Sequence, residues 1–451
     1  MDAVRLNELA RALGGEVRGE APPVTGVTID SRKCASGDLF VALRGEHADG
    51  HGFVTSLAGH AAAAMVERWQ EGELAQWRVR DARATLGELG AWCRGRSHAR
   101  VVGITGSNGK TTVKELVASI LALDGPTLVT PGNYNNELGV PLTLSRLASE
   151  HEYAVIEMGA SHRGDIAQLA AWVRPEVAVI TNAGGAHLKG FGSLEGVALG
   201  KGELVESLES GGIAVLNACD EFFPVWRTLA TPRRILSFGT DEVPADVGVS
   251  AVGPTDIELR TWHGRRHVPF HLPGRHNRLN AAAAAAVAIA LDIDEHAIAE
   301  GLAAARPVPG RLQPLRGAGG GLLLDDTYNA NPQSLEAALE VLAEQSGERW
   351  LVLGDMAELG EEAEERHAEC GLRAREAGVH RLFAVGPLSK AAATAFGDGG
   401  EWFEDADALS TRLNDLRGTS ASILVKGSRS AAMERFVTVL AAHDEPSGRG
   451  G

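Results

Sequence analysis

One stretch constrains this chain more than any other: Gly103-Ile-Thr-Gly-Ser-Asn-Gly-Lys-Thr-Thr112. The run Arg100–Thr105 leads into it as a short β-branched strand, and Val113-Lys-Glu-Leu-Val117 continues from it as a helix. A glycine-rich turn between strand and helix aims several backbone N–H groups at one point, where they can surround phosphate oxygens. Gly106, Ser107, Asn108, Gly109, Lys110, Thr111 and Thr112 are therefore the candidate phosphate-binding residues. Lys110 would reach the terminal phosphates, and Thr111 would offer a hydroxyl to Mg²⁺. The usual first glycine of such a loop falls at Ile104, with glycines at 103 and 106 instead. Taken alone, the stretch marks a nucleotide-phosphate binder, a description that kinases, GTPases, motors and ligases share.

Strand-like runs recur at Tyr153–Glu157 and Val177–Thr181, then at Gly321–Asp325, Trp350–Gly354, Arg381–Gly386 and Ser422–Lys426, with helical stretches between. That alternation predicts α/β architecture: mostly parallel sheets with helices on both faces. A chain of 451 residues suits about three domains. The first segment opens with helically spaced Val4, Leu6, Leu9, Ala10 and Leu13, followed by strand-like Val24–Ile29 and Asp38–Leu43. A Pro- and Gly-dense loop, Arg306-Pro-Val-Pro-Gly-Arg311, marks the last boundary. The expected layout is a small mixed α/β N-terminal domain over 1–82, a central phosphate-loop domain with a parallel sheet over 83–310, and a C-terminal Rossmann-like α/β domain over 311–451. No G-x-G-x-x-G follows a strand in the last segment, so no dinucleotide site is assigned there. Ala281–Leu291 reads as a buried helix, too short to span a bilayer, and Glu445–Gly451 as a frayed tail.

Composition excludes several classes. A net charge of −16 argues against a nucleic-acid partner, which wants clustered Lys and Arg. Cys34, Cys93, Cys219 and Cys370 form no C-x-x-C pair, which disfavours a disulfide framework or zinc site and fits a reducing cytoplasm. Charged residues among the first apolar ones exclude a signal peptide. The expectation is a cytoplasmic protein without membrane insertion, and a monomer.

Three further side chains could serve a phosphate site. Glu157 ends the strand Tyr153–Glu157, where an acid can face the loop; His187 lies in Gly-Gly-Ala-His-Leu; Lys201 lies in a helical stretch. Singly they read equally well as a solvated strand-end acid, a loop histidine and a surface lysine. With the phosphate loop upstream, Thr111, Glu157 and His187 together form a candidate ligand set for a hard cation.

In order and over nearly the whole chain, Gly106–Thr112, Glu157, His187, Lys201, His276-Asn-Arg-Leu-Asn280 and Pro309-Gly-Arg311 resemble the Mur ligase family. Gly132-Asn-Tyr-Asn-Asn-Glu-Leu-Gly-Val-Pro-Leu142, Asp325-Asp-Thr-Tyr-Asn-Ala-Asn-Pro332, Leu353-Gly-Asp-Met-Ala-Glu-Leu-Gly360 and Val425-Lys-Gly-Ser-Arg429 resemble the branch that adds D-alanyl-D-alanine to UDP-N-acetylmuramoyl-tripeptide. Small departures are Thr327 in place of serine and Asn108 within the loop.

The resemblance implies an ATP- and Mg²⁺-dependent amide ligase of peptidoglycan precursor synthesis, working through an acyl phosphate on those two small-molecule substrates. It places ATP between the central and C-terminal domains, with Asn277 and Asn280 on the adenine side and Arg311 and Asp326 closing over the nucleotide. Lys110, Lys201, His187 and Arg311 would be catalytic, and Lys201 would be carbamylated, because an unmodified ammonium beside Mg²⁺ is repulsive. Ser31 and Arg32 would meet the UDP end of the substrate, and Asn133, Asn135, Asn136, Asn329 and Asn331 would also lie on the substrate side. Plain alternatives remain at several positions: Asn277 and Asn280 as helix caps, Ser31 and Arg32 as an ordinary turn. Rival functions are another Mur-type ligase, a folylpolyglutamate synthetase, or a phosphate-loop binding protein without ligase activity.

Overall fold

The computed structural model describes residues 1–46, 48–185 and 188–442; His187 and the tail Glu445–Gly451 lie outside the described residues. Within them the chain forms three sheets of five, nine and six strands. The expected α/β class and three-domain architecture hold.

The first sheet is mixed, with Gly26–Thr28, Asp38–Val41, Ala63–Val66 and Gln76–Arg78 parallel in series and Glu16–Arg18 antiparallel at one edge. Helix Leu6–Leu13 buries Leu6 and Leu9 against it. Helix Ala82–Arg96, capped by the Asp81 carboxylate on the Ala84 amide, leads into the second sheet.

In that sheet the strand Arg100–Thr105 lies between Tyr153–Glu157 and Val177–Ile180, parallel to both. The register pairs Ile104 with Glu157 and Thr105 with Ile180, so three carboxyl ends open on one edge. In an open parallel sheet that edge is where ligands collect. Parallel pairing continues through Ile213–Asn217, Arg234–Thr240 and Val247–Ala251, then ends in an antiparallel hairpin, Asp256–Thr261 with Gly264–Pro269. The sequence alternation did not foretell this hairpin, because its outer strand is almost wholly exposed and reads as polar loop. Ala281–Leu291 is buried as expected apart from the partly buried Ile289, within and just past helix Arg275–Ala290. Its alanines let that helix share one core with the phosphate-loop helix Lys110–Leu121.

The third sheet is parallel apart from its first pair, Gln313–Arg316 with Leu322–Asp326, and hydrophobic cores cover both faces. Each buried Leu, Val or Phe there contributes roughly 1.5–3 kcal/mol. Among the described residues no helix is long and apolar enough to cross a membrane. All four cysteines are unpaired.

Candidate active site

The phosphate loop is shaped by two glycines at positions where a side chain would be strained. Gly106 has φ +151°, and a Cβ there would come within 1.9 Å of Thr181 Oγ1; Gly109 has φ +81° and would press on Asn280 Oδ1 at 2.6 Å. The loop is pinned to the segment after the strand Val177–Ile180. Thr181 Oγ1 and Asn182 Nδ2 donate to the Asn108 carbonyl at 2.6 and 3.0 Å, and the Asn108 amide donates to Asn182 Oδ1 at 2.9 Å. Ser107 Oγ donates to the Gly184 carbonyl and accepts from its amide.

Lys110 opens the following helix and folds its ammonium back onto the Gly106 and Ser107 carbonyls at 2.6 and 3.2 Å. Desolvation, with Arg311 close by, brings it down to about 8 against the pull of Glu157. Thr111 is buried, and its hydroxyl donates to Glu157 Oε2 at 2.9 Å. Across the cleft, Arg311 Nη2 donates to the same Thr111 oxygen at 2.8 Å, while its guanidinium lies 4.0 Å from the Tyr328 ring centre. Lys201 is almost fully buried on helix Leu194–Glu206, its Nζ 5.3 Å from the Phe191 ring centre. Burial, then the Lys110 charge, pulls its ammonium down to about 7. The surface-lysine alternative is thereby removed.

Lys110, Glu157, Arg311 and Tyr328 line a cleft of about 860 Å³ between the second and third sheets, with Asn182 beside the loop; Thr111 and Lys201 lie outside its lining. Asn277 and Asn280 line it from the first turns of helix Arg275–Ala290, whose N-cap is Gly274, so neither asparagine caps it. Asn277 Nδ2 donates to the Pro273 carbonyl, and Asn280 Nδ2 donates to Asn277 Oδ1. The third domain contributes Asp326, whose carboxylate accepts from the Leu312 amide and from the Lys426 ammonium. Asn331 caps helix Pro332–Ala343 and donates to Asn108 Oδ1 at 2.9 Å; Asn108 Nδ2 donates to Gln333 Oε1 at 3.0 Å. Asn329 lines the cleft and gives its carbonyl to Lys426.

The remaining expected residues spread out. Asn135 and Asn136 line the cleft; Asn136 accepts from the Leu138 and Gly139 amides, and Asn135 donates to Glu157 Oε1. Asn133 is exposed and outside the cleft lining. Ser31 and Arg32 form a short turn on the first domain, also outside it. There Arg32 makes two 2.9 Å bonds to Asp30, and chiefly through them the Asp30 carboxyl falls to about 2. The placement of His187 lies outside the described residues.

Sequence reasoning missed Asn182, Lys426 and Gln333. Lys426 sat in a quoted stretch without a role, whereas Asn182 and Gln333 carry no motif at all. It also left His276 unassigned. Burial holds this histidine neutral, down at about 4, and its Nδ1 has no hydrogen-bond partner among the described residues.

Comparison with known proteins matches each segment separately. The Mur ligase family catalytic domain covers residues 23–83, the Mur ligase middle domain 104–288, and the Mur ligase glutamate ligase domain 310–429. The chain is 47% identical to UDP-N-acetylmuramoyl-tripeptide--D-alanyl-D-alanine ligase of Escherichia coli strain K12, covering 98% of this chain and 99% of that one. A crystal structure of MurF from Acinetobacter baumannii superposes with TM-score 0.90 at 36% identity, over 97% and 98% of the two chains. The MurF ligase of Thermotoga maritima in complex with ADP gives 0.80 at 29%, over 92% and 97%. With a phosphate loop, a facing acid and a third-domain wall all in their matched segments, this chain belongs to the Mur ligase family.

Proposed function

We propose that this chain is the ATP-dependent ligase that joins D-alanyl-D-alanine to UDP-N-acetylmuramoyl-tripeptide, with ADP and phosphate as co-products, in peptidoglycan precursor synthesis. One observation carries the reading: Lys110 and the buried Thr111–Glu157 pair face Arg311 of the third domain across a single cleft, in a chain whose full-length relative bears that activity in its name. ATP and ADP are the nucleotides, and a cytoplasmic location goes with substrates of this kind.

The tripeptide's terminal carboxylate oxygen attacks the γ-phosphorus of ATP; the bond from that phosphorus to the bridging oxygen breaks, and ADP leaves. Lys110 and Arg311 supply positive charge where negative charge gathers, the main task of a protein in phosphoryl transfer. The free amine of D-alanyl-D-alanine then attacks the acyl carbon, loses a proton, and phosphate departs as the amide forms. The acyl phosphate must be kept from water, which the third-domain wall of the cleft does by covering it.

Among the described residues no group of three His, Cys, Asp or Glu could hold a metal ion. The Thr111 hydroxyl and Glu157 carboxylate still suit Mg²⁺, which keeps waters and phosphates among its ligands, and His187 would join them. Bound there, Mg²⁺ would add positive charge beside the phosphates. Lys201 is the residue for carbamylation: with its ammonium at about 7, much of it is a neutral amine at neutral pH, able to add to CO₂ and release a proton. The resulting anion replaces a buried cation beside Lys110.

The test uses ATP and UDP-tripeptide without the amine. Borohydride should trap the acyl phosphate as the reduced acceptor, with ADP formed. AMP as product, or no reduced acceptor while full turnover proceeds, overturns the acyl-phosphate route. The amine should be a dipeptide, with single D-alanine turned over at least about tenfold less well, a discrimination of about 1.4 kcal/mol. Efficient use of L-glutamate or folate would hand the case to the rival ligases.

A further inference from the structure

Glu157 is only 1% exposed, yet four groups approach it. Thr111 Oγ1 donates to Oε2 at 2.9 Å, and Asn135 Nδ2 donates to Oε1 at 2.7 Å. The Lys114 ammonium lies 4.0 Å from Oε2, one helical turn past Lys110. The Glu157 amide donates to Thr130 Oγ1 at 3.0 Å, and the Thr130 carbonyl accepts from Lys114 at 2.9 Å. Of these groups only Thr111 has a part in the chemistry proposed above.

Asn135 is itself held firmly. Its carbonyl accepts from the Gly159 amide at 2.8 Å, and its own amide donates to the Asn133 carbonyl at 2.8 Å. A Cβ at Gly159 would stand 3.0 Å from Asn135 Oδ1, so the side-chain amide packs directly on that glycine. Its orientation is fixed by chemistry: turned over, its oxygen would face a carboxylate oxygen at 2.7 Å, acceptor against acceptor.

A glutamate carboxylate turns almost freely about its last torsion, whereas each of its oxygens offers about two acceptor directions. One donor on each oxygen locks that rotation and leaves the other directions available. We propose that Asn135 is a positioning residue, whose amide sets the rotation of the Glu157 carboxylate toward the cation while Thr130 holds the Glu157 backbone amide and Lys114 stands near Oε2. This rests on the assignment of Glu157 as a magnesium ligand, and it moves Asn135 away from direct substrate contact.

The experiment titrates Mn²⁺ by electron paramagnetic resonance, in the presence of ADP, on the full chain and on Asn135→Ala, Asn135→Leu and Glu157→Gln. Asn135→Leu keeps the side chain's size without adding a charge should the alanine variant fold poorly, and thermal unfolding checks both. Loss of a group that orients a metal ligand should weaken Mn²⁺ about 10- to 100-fold. UDP-tripeptide binding should stay near the parent value, and excess Mg²⁺ should partly restore kcat. Parent-like Mn²⁺ affinity with weakened UDP-tripeptide binding would make Asn135 a substrate ligand and overturn the proposal. Glu157→Gln separates the two ways of failing. If it alone weakens Mn²⁺, only the positioning role of Asn135 falls. If Glu157→Gln also leaves Mn²⁺ affinity unchanged, the metal assignment falls and takes this inference with it.

Discussion

The two walls of the cleft are assembled differently. On the central-domain side, Gly106–Thr112 is tied to its own helix and to the adjacent strand end through Lys110, Thr181 and Asn182, with Glu157 buried beneath. On the third-domain side, Arg311, Asn331 and Gln333 reach over and meet the loop through single side-chain bonds of 2.8–3.0 Å. The two neutral amide bonds contribute about 1 kcal/mol each and the Arg311 bond about 1.5–3 kcal/mol, and interfaces between domains of one chain are movable by default. One wall is therefore built in advance for phosphates. The other meets it only through a few side-chain bonds across the cleft.

That contrast can be broken first at its rigid side. Lys110→Ala should lower kcat by about 100- to 1,000-fold, the effect of removing one preorganised charge donor, with thermal unfolding near the parent's. Near-normal turnover would reduce the loop to a structural turn.

The next largest effect concerns Lys201. Lys201→Ala should lose about 10- to 100-fold in activity, and Lys201→Arg should fail as well although it keeps the charge. Formate or acetate should partly rescue alanine by supplying oxygens in the vacated space, and should not rescue arginine, which fills it. Most of the parent activity in Lys201→Arg would make this residue a simple cation.

The movable wall should respond more mildly. Gln333→Ala removes the 3.0 Å bond to Asn108 and should lower kcat/KM for ATP by about fivefold, matching about 1 kcal/mol. A loss as deep as that of Lys110→Ala would mean both walls are equally preformed.

The last effect is on stability rather than activity. Lys201 is held down at about 7 in the folded state, against an ordinary 10.5 when unfolded. Between those values the unfolded chain carries one more proton at this site, so stability rises with pH across the window. The pH-dependent part is lost as pH falls toward 7. In CO₂-depleted buffer the parent should gain stability relative to Lys201→Met by up to about 1.4 kcal/mol per pH unit there. A flat difference would contradict a lysine whose ammonium is disfavoured by burial.

Much of the fold was legible because its signals are local. Short apolar runs bounded by turn residues mark Arg100–Thr105, Tyr153–Glu157 and Ser422–Lys426, and the structure keeps those same bounds. The run Ile213–Asn217 escaped notice, since a brief apolar stretch reads equally well as buried helix. The hairpin after it escaped because exposed edge strands carry polar side chains. At the site, the resemblance to a known family supplied Arg311 and Asn277, but no local pattern could say that Arg311 bonds Thr111, 200 residues earlier.

Residue order alone determined the phosphate loop, because a strand, a glycine turn and a helix that begins Lys-Thr-Thr need only neighbouring torsions to aim their N–H groups at one point. Tertiary structure decided what surrounds it. Lateral strand order set Glu157 beside Thr111, a distant loop brought Asn135 onto the same carboxylate, and burial turned Lys201 from a surface cation into an amine near neutrality. Strand neighbours and desolvation are properties of chain segments that meet only after folding, so no stretch of sequence records them.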